Sequence, residues 1–386
     1  MSKVKKNTRR GTYATTLTLP DGKKVYLTGK TKEELEEKKL QAKIDVRMGV
    51  DVADDSHFDQ FARTWLAMYK RGKIRQTSFE LTESLMERYV VPYFSDRRIK
   101  DVRPMTVQGF ITYLSDTGLA ESTQAKCLRI AKNVFQAAVD NGLIPKTPFR
   151  KDDRVVSDTP KEEPEPLTDE QARRLLTALE GTQAYTFCLI ALSTGMRRGE
   201  ILGLMWEDID FDARMIHVRH NKAFPMNSLD APVTELLKTE AARRDLPMSS
   251  QLTGHLLAVK EASGSDYVLA MKNGKSLSKS GLKSLWTVVN RRTAGKGPTP
   301  RKLGESYGGM TVTLDFDVHP HLLRHTFITQ LFEAGLDIKQ VQYLAGHSTP
   351  DMTMRVYNHY RAKQRQDATA EQVRAALKYL DRGVSA

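Results

Sequence analysis

Four stretches in the second half of the chain bring together residue types able to act on a phosphate ester. They are Thr194-Gly195-Met196-Arg197-Arg198-Gly199-Glu200-Ile201, His319-Pro320-His321-Leu322-Leu323-Arg324-His325-Thr326, Leu344-Ala345-Gly346-His347 and Tyr357-Asn358-His359. Arginine carries a planar fork of donors, and two forks can hold both non-bridging oxygens of a phosphate as charge builds on it. Tyrosine becomes a covalent nucleophile once its proton is taken or its pKa is lowered by nearby cations. Imidazoles can move that proton or donate to the phosphoryl oxygens.

Each stretch alone has an ordinary structural reading. A Gly-x-Arg after a helix is a C-cap with a surface arginine, and His321 and Arg324 could share a plain helix face. Leu-x-Gly-His is a helix end capped by Gly346, and one tyrosine among thirteen carries no signal. The ordered set is what matters. Its order and spacing over about 165 residues resemble the tyrosine recombinases, specifically the integrases of phages and conjugative transposons. That family's pattern is a T-G-x-R-x-G-E block, a hairpin lysine, an H-x-L-R-H-T block, an L-G-H block and a tyrosine shortly after. Here these fall on Thr194–Glu200, Lys238, His321–Thr326, Leu344–His347 and Tyr357. Leu322 and Ala345 depart from common family choices at positions that carry no chemistry.

The resemblance implies a role for each residue. Arg197 and Arg324 would clamp the scissile phosphate. Lys238, in Leu237-Lys238-Thr239 with Lys222 as local rival, would protonate the leaving 5′-oxygen. His321 would handle the tyrosine proton or brace the phosphate, and His347 would donate to a phosphate oxygen. Glu200 would hold a neighbouring catalytic side chain, and His325 would pack its helix. Tyr357, with Tyr360 as near rival, would form a 3′-phosphotyrosyl bond. No cofactor and no metal is implied. The implied partners are double-stranded DNA with core and arm elements, a homo-tetramer assembled on it, an excisionase and a host DNA-bending protein. The expected setting is the bacterial cytoplasm, at the nucleoid.

The elements that must position these residues can be read from pattern. Residues 1–55 read as a small β-sheet-plus-helix unit. Thr12–Thr18 is β-branched, Pro20-Asp21-Gly22 is turn chemistry, Lys24–Thr28 returns as a strand, and Thr31-Lys32-Glu33-Glu34 caps a helix to about Arg47. Residues 56–150 read as all-helical, with stripes at Phe58, Phe61, Trp65, Leu66 and Tyr69 and at Leu81, Leu85 and Tyr89. Further helices are expected over Thr106–Ser115 and Ser122–Asn141. Residues 151–166 have linker composition. Residues 167–386 open on the capping box at Thr168-Asp169-Glu170-Gln171 and read as a mixed, mainly helical domain. Its small sheet is expected from Met215–His220, Thr234–Leu237 and Asp245–Met248, and an amphipathic tail helix from Ala368–Leu380. The fold class is α+β multidomain. The resemblance makes these units arm-binding, core-binding and catalytic in turn.

Composition agrees with a DNA partner. The 386 residues carry a formal charge of +13, which favours a polyanion through steering and counterion release. Residues 1–30 hold eight Lys or Arg against the single acid Asp21, a charge of +7 in one short segment. No apolar run is long enough for a membrane span, and the basic start lacks the apolar stretch of a secretion signal. Cys127 and Cys188, far apart in apolar contexts, are not expected to form a disulfide.

Other classes fit parts of the sequence. A type IB topoisomerase shares the chemistry, and a chromosome-resolution recombinase shares the whole set. A metal-dependent nuclease could use His321 and His325 at helical spacing but finds no carboxylate beside them. A DNA-binding regulator would not need the catalytic set.

Overall fold

The computed structural model describes residues 5–7, 12–20, 22–155, 165–225, 228, 230–235, 243–293, 303–304, 306–307 and 310–362. It divides into two compact units, Met1–Pro160 and Lys161–Ala386.

The first unit opens with an antiparallel sheet of β1 (Lys5–Asn7), β2 (Thr12–Thr18) and β3 (Lys24–Gly29). β2 and β3 pair from Tyr13↔Gly29 to Thr18↔Lys24. The turn between them is closed by Leu19 N–H donating to Lys23 O at 2.8 Å, with Gly22 at φ +84°. Helix α1 (Lys32–Arg47) packs on β2 and β3 through buried Leu35 and Ala42. Its cap is Thr31, whose Oγ1 accepts from Glu34 N–H at 3.1 Å. The Glu34 carboxylate reaches back one residue further than a capping box does, accepting from Lys30 N–H at 2.7 Å.

Five helices come next: α2 (Phe58–Trp65), α3 (Gln76–Leu85), α4 (Val91–Phe94), α5 (Pro104–Asp116) and α6 (Glu121–Asp140). They close on an aromatic centre in which Phe58, Phe94, Phe110 and Phe135 are fully buried and Phe94 lies 4.8 Å from both Phe58 and Phe110. Two π-helical turns, Leu66–Lys70 and Met86–Val90, extend α2 and α3. The first of these corrects the stripe expected through Tyr69. A π turn adds a residue to each turn and rotates the residues beyond it off the core face. Tyr69 is accordingly 42% exposed, its hydroxyl taking a hydrogen bond from Asn141 Nδ2 at 2.8 Å. Leu81 falls on the flank of α3, outside the face formed by Phe79 and Leu85. Asp153, within the segment of linker composition, is buried; its carboxylate accepts from Gln108 Nε2 at 2.6 Å and from Arg150 N–H at 2.7 Å.

The second unit is built around α8 (Gln183–Thr194), preceded by α7 (Asp169–Leu179). The reciprocal bonds of Thr168 and Gln171 that start α7 are both present. Phe187, Cys188, Leu189, Ile190 and Ala191 are all buried on α8, so it is apolar all round. After α9 (Arg198–Gly203) come β4 (Ile209–Asp210), β5 (Met215–Val218), β6 (His220–Asn221), β7 (Thr234–Glu235) and β8 (Arg244–Pro247). β4, β5 and β8 form one antiparallel sheet and β6 pairs with β7. The chain continues through α10 (Ser250–Glu261), α11 (Lys279–Arg292), the short pair β9 (Ser306–Tyr307) and β10 (Met310–Thr311), α12 (Pro320–Glu333) and α13 (Ile338–Ala345). A last helix covers residues 350–362. Helices α7, α10, α11 and α12 all pack on α8. A smaller cluster of Ile328, Phe332, Val341 and Ala345 seats the last helix through Val356, Tyr357 and Tyr360. The architecture is α+β and multidomain, as the pattern predicts. The expected tail helix Ala368–Leu380 lies outside the described residues.

Both cysteines are free and buried. Among the described residues no helix is long and apolar enough to cross a membrane.

Candidate active site

Arg197 stands where α8 hands over to α9. Gly195 ends α8 in the left-handed region at φ +61°, and a side chain there would strike the Phe327 ring. That turn leaves Arg197 as the N-cap of α9. Its backbone N–H donates to Glu200 Oε2 at 2.8 Å and its Nη1 to Glu200 Oε1 at 2.9 Å. Its Nη2 donates to the carbonyl of Gly346. The side chain keeps 34% of its surface open, so this guanidinium can still meet a ligand.

Arg324 comes from the second turn of α12 and is buried. Nη1 donates to Gly195 O at 2.6 Å and Nη2 to Ala345 O. Burial, then Arg197, with Arg244 further off, lowers its pKa to about 9 against the pull of Glu200; it stays charged at neutral pH. Arg197 and Arg324 thus tie the turn after α8 to the end of α13, although 127 residues separate them in sequence.

Glu200 is 1% exposed and is the hub. Besides Arg197 it accepts from Arg244 Nη2 at 2.8 Å and Nη1 at 3.3 Å. Burial pushes its pKa up, but Arg244 and then Arg197 outweigh this and leave it lowered. Arg244, 3% exposed on β8, also donates through Nε to Leu344 O at 2.8 Å. Three guanidinium groups around one carboxylate give these four side chains a charge of +2, a ready seat for an anion.

His347 follows Gly346, which caps α13 in the left-handed region at φ +61°. A Cβ on Gly346 would sit 2.8 Å from Arg244 Nη1 and 3.0 Å from its Cζ. Glycine is therefore needed twice, for the turn and for the approach of Arg244. The His347 ring is 4% exposed, with Nδ1 2.8 Å from Thr353 Oγ1. Burial, followed by Arg324, Arg197 and Arg244, lowers its pKa to about 3, so the imidazole is neutral at physiological pH. His321 is exposed on the first turn of α12, yet desolvation by its neighbours, ahead of His319 and Arg324, also lowers its pKa. His319 is the cap of α12, its Nδ1 accepting from Leu322 N–H at 3.1 Å.

Tyr357 is half-buried in the last helix, its ring 5.2 Å from that of Phe332 and beneath the Arg361 guanidinium at 5.8 Å. Among the described residues no hydrogen bond joins it to Arg197, Arg324, His321 or His347. What connects it to them is Thr353, fully buried against His347 and one helical turn before Tyr357 on the same face. Tyr360, the rival, stacks on the same Phe332 at 6.2 Å.

Lys238 lies outside the described residues. Its rival Lys222 is 2% exposed, donating to Ser276 Oγ at 2.7 Å and pairing with Asp230 Oδ1 at 2.7 Å. That is the surrounding of an anchor for the β6–β7 hairpin. His325 sits ring against ring with His359 at 6.1 Å, in keeping with a packing role. Sequence reasoning passed over Arg244 and Thr353. A charged residue in register with inward-facing Leu246 was the available signal for Arg244; Thr353 offered none.

The phage integrase family model matches residues 165–364, and that of the phage integrase N-terminal SAM-like domain matches residues 57–115. The chain belongs to the phage integrase family. It is a tyrosine-type site-specific DNA recombinase. It is 27% identical over 368 residues to a tyrosine recombinase XerC-like protein of Caldanaerobacter subterraneus subsp. tengcongensis, covering 88% of this chain and 89% of that one. It is 27% identical over 370 residues to the transposase from transposon Tn916 of Enterococcus faecalis, covering 90% and 83%. Among solved structures it shares its fold with the Tn1549 transposon integrase in complex with a circular intermediate DNA, with TM-score 0.63, 23% identity and coverage of 80% and 99%. It also matches a lambda integrase tetramer bound to a Holliday junction, with TM-score 0.55, 17% identity and coverage of 90% and 93%.

Proposed function

We propose that this recombinase integrates and excises a mobile element by moving strands through a covalent bond to Tyr357. The observation that carries the reading is the convergence of Arg197, Arg324 and Arg244 on the carbonyls of Gly346, Ala345 and Leu344, next to His347, with +2 of fixed charge around Glu200. A DNA phosphate seated there would receive Arg197 and Arg324 on its non-bridging oxygens and a neutral His347 donating from Nε2. Tyr357 Oη would attack phosphorus, with His321 taking its proton. The P–O5′ bond would break and Lys238 would protonate the leaving oxygen. The 5′-hydroxyl of a partner strand then reverses the step, so the phosphotyrosyl link conserves the energy of the broken bond.

In the same reading residues 1–55 bind arm-type DNA, 56–150 the core site, 151–166 link and 167–386 catalyse. Four copies assemble on paired sites in the bacterial cytoplasm, with an excisionase and a host bending protein setting direction. Because arginines supply the charge at the phosphate, nicked-site cleavage should proceed undiminished in excess EDTA. Cleavage abolished by EDTA and restored by Mg²⁺ would remove this reading.

A further inference from the structure

Thr353 has no assigned part in strand exchange, yet its hydroxyl is what holds the His347 ring. Oγ1 lies 2.8 Å from Nδ1, and among the described residues no other side chain is hydrogen-bonded to that ring. Thr353 is 0% exposed and sits in the first turn of the helix that bears Tyr357. The His347 backbone is pinned separately. Its N–H donates to Gln342 O at 3.1 Å, and its O accepts from Gln342 Nε2 at 3.3 Å. What the backbone does not decide is which ring nitrogen carries the proton.

The proton count decides it. Burial, with the guanidinium groups of Arg324, Arg197 and Arg244 nearby, keeps the imidazole neutral, so one nitrogen donates and the other accepts. With the proton on Nδ1, Thr353 Oγ1 would have to accept. Its own buried proton would then have no acceptor, since among the described residues Oγ1 has no second partner. A buried donor left unpaired gives up its hydration for nothing. With the proton on Nε2, Thr353 donates to Nδ1 and both groups are satisfied. Nε2 has no hydrogen-bond partner among the described residues, so its N–H is left for a ligand. We infer that Thr353 is a positioning residue that holds His347 as the Nε2–H tautomer, the form able to donate to a DNA phosphate. Thr353 lies four residues before Tyr357, so one helix sets both the donor and the nucleophile. The inference rests on the proposed function in taking His347 as a phosphate donor.

The first measurement is the tautomer itself, read from ¹⁵N-labelled histidine in the full chain, with the signals lost in His347→Gln identifying the residue. A protonated Nε2 and a bare Nδ1 are expected, with Nδ1 shifting in Thr353→Val as its donor is removed. A proton on Nδ1 in the unsubstituted protein would overturn the inference, whether or not any variant folds. The second measurement is single-turnover cleavage of a nicked site. Thr353→Val should lose about tenfold to a hundredfold with site binding unchanged, the usual cost of removing a partner that orients a histidine. Thr353→Ser, which keeps the hydroxyl, should restore cleavage. In a His347→Gln background Thr353→Val should cost nothing further, because the ring it serves is gone. Normal cleavage by Thr353→Val, or an added loss in the His347→Gln background, would overturn the inference and leave the proposed function standing as long as His347→Gln itself cleaves poorly. Full cleavage by His347→Gln would remove His347 from the proposed reaction, and the inference with it.

Discussion

The arginine cluster and the helix that bears Tyr357 are built to different standards. Arg324, Glu200, Arg244 and His347 are buried, and the two arginines are cross-linked to the carbonyls of Gly195, Leu344 and Ala345. Tyr357 sits half-buried on a satellite cluster, and among the described residues its helix is tied to them by the hydrogen bond between Thr353 and His347. The proposed phosphate seat is therefore preorganised, while the proposed nucleophile is held by a few apolar contacts. Electrostatic stabilisation needs rigid donors that do not reorganise during reaction. In the proposed tetramer, where two strand exchanges follow in turn, a weakly held helix would let the nucleophile of one protomer wait while another acts.

The sharpest way to break this contrast is to loosen the rigid side. Arg324→Lys keeps the charge but cannot reach both Gly195 O and Ala345 O, so single-turnover cleavage should fall about a thousandfold. A fall of only a few-fold would mean that the seat tolerates rearrangement. Stability should respond next. Arg244→Met leaves the buried Glu200 with Arg197 as its remaining cation and should cost about 1.5–3 kcal/mol in denaturant unfolding. Pairing it with Glu200→Leu should recover much of that loss but not cleavage, because Arg197 loses its brace. Recovery of both would make the buried pair purely structural.

Much of the cluster was legible because its members sit in short local motifs. Gly195 and Gly346 signalled helix ends; Arg197 comes two residues after the first and His347 directly after the second. Arg244 was hidden because its partners, Glu200 and Leu344, lie 44 and 100 residues away. The α+β character, with a strand-and-helix start, a helical run and a mixed second half, was readable from periodicity. The two π turns were not, since an added residue per turn leaves no mark on composition, and Tyr69, within the first, was misplaced for that reason; Leu81, ahead of the second, was misplaced because it sits on the flank of α3.

A smaller effect arises from the neutral His347. Its folded pKa of about 3 lies below the ordinary 6.5, so the unfolded chain binds the proton first. The stabilisation is complete above about pH 6.5 and drains as pH falls toward 3. The unfolding midpoint should therefore drop between pH 7 and pH 5, before most carboxylates titrate. His347→Gln should flatten that slope partly, because His321 and His255 are shifted the same way. An unchanged slope would mean that His347 is not held neutral.

Tyr357 is the residue proposed to form the bond to DNA. A nicked attachment site that loses its short 5′-fragment after cleavage will trap the covalent complex. Proteolysis and mass spectrometry should then place the nucleotide on the peptide carrying Tyr357. Tyr357→Phe should bind the site with unchanged affinity and give no adduct, while Tyr360→Phe should give adduct at Tyr357. Adduct surviving in Tyr357→Phe, with the nucleotide on Tyr360, would contradict the account.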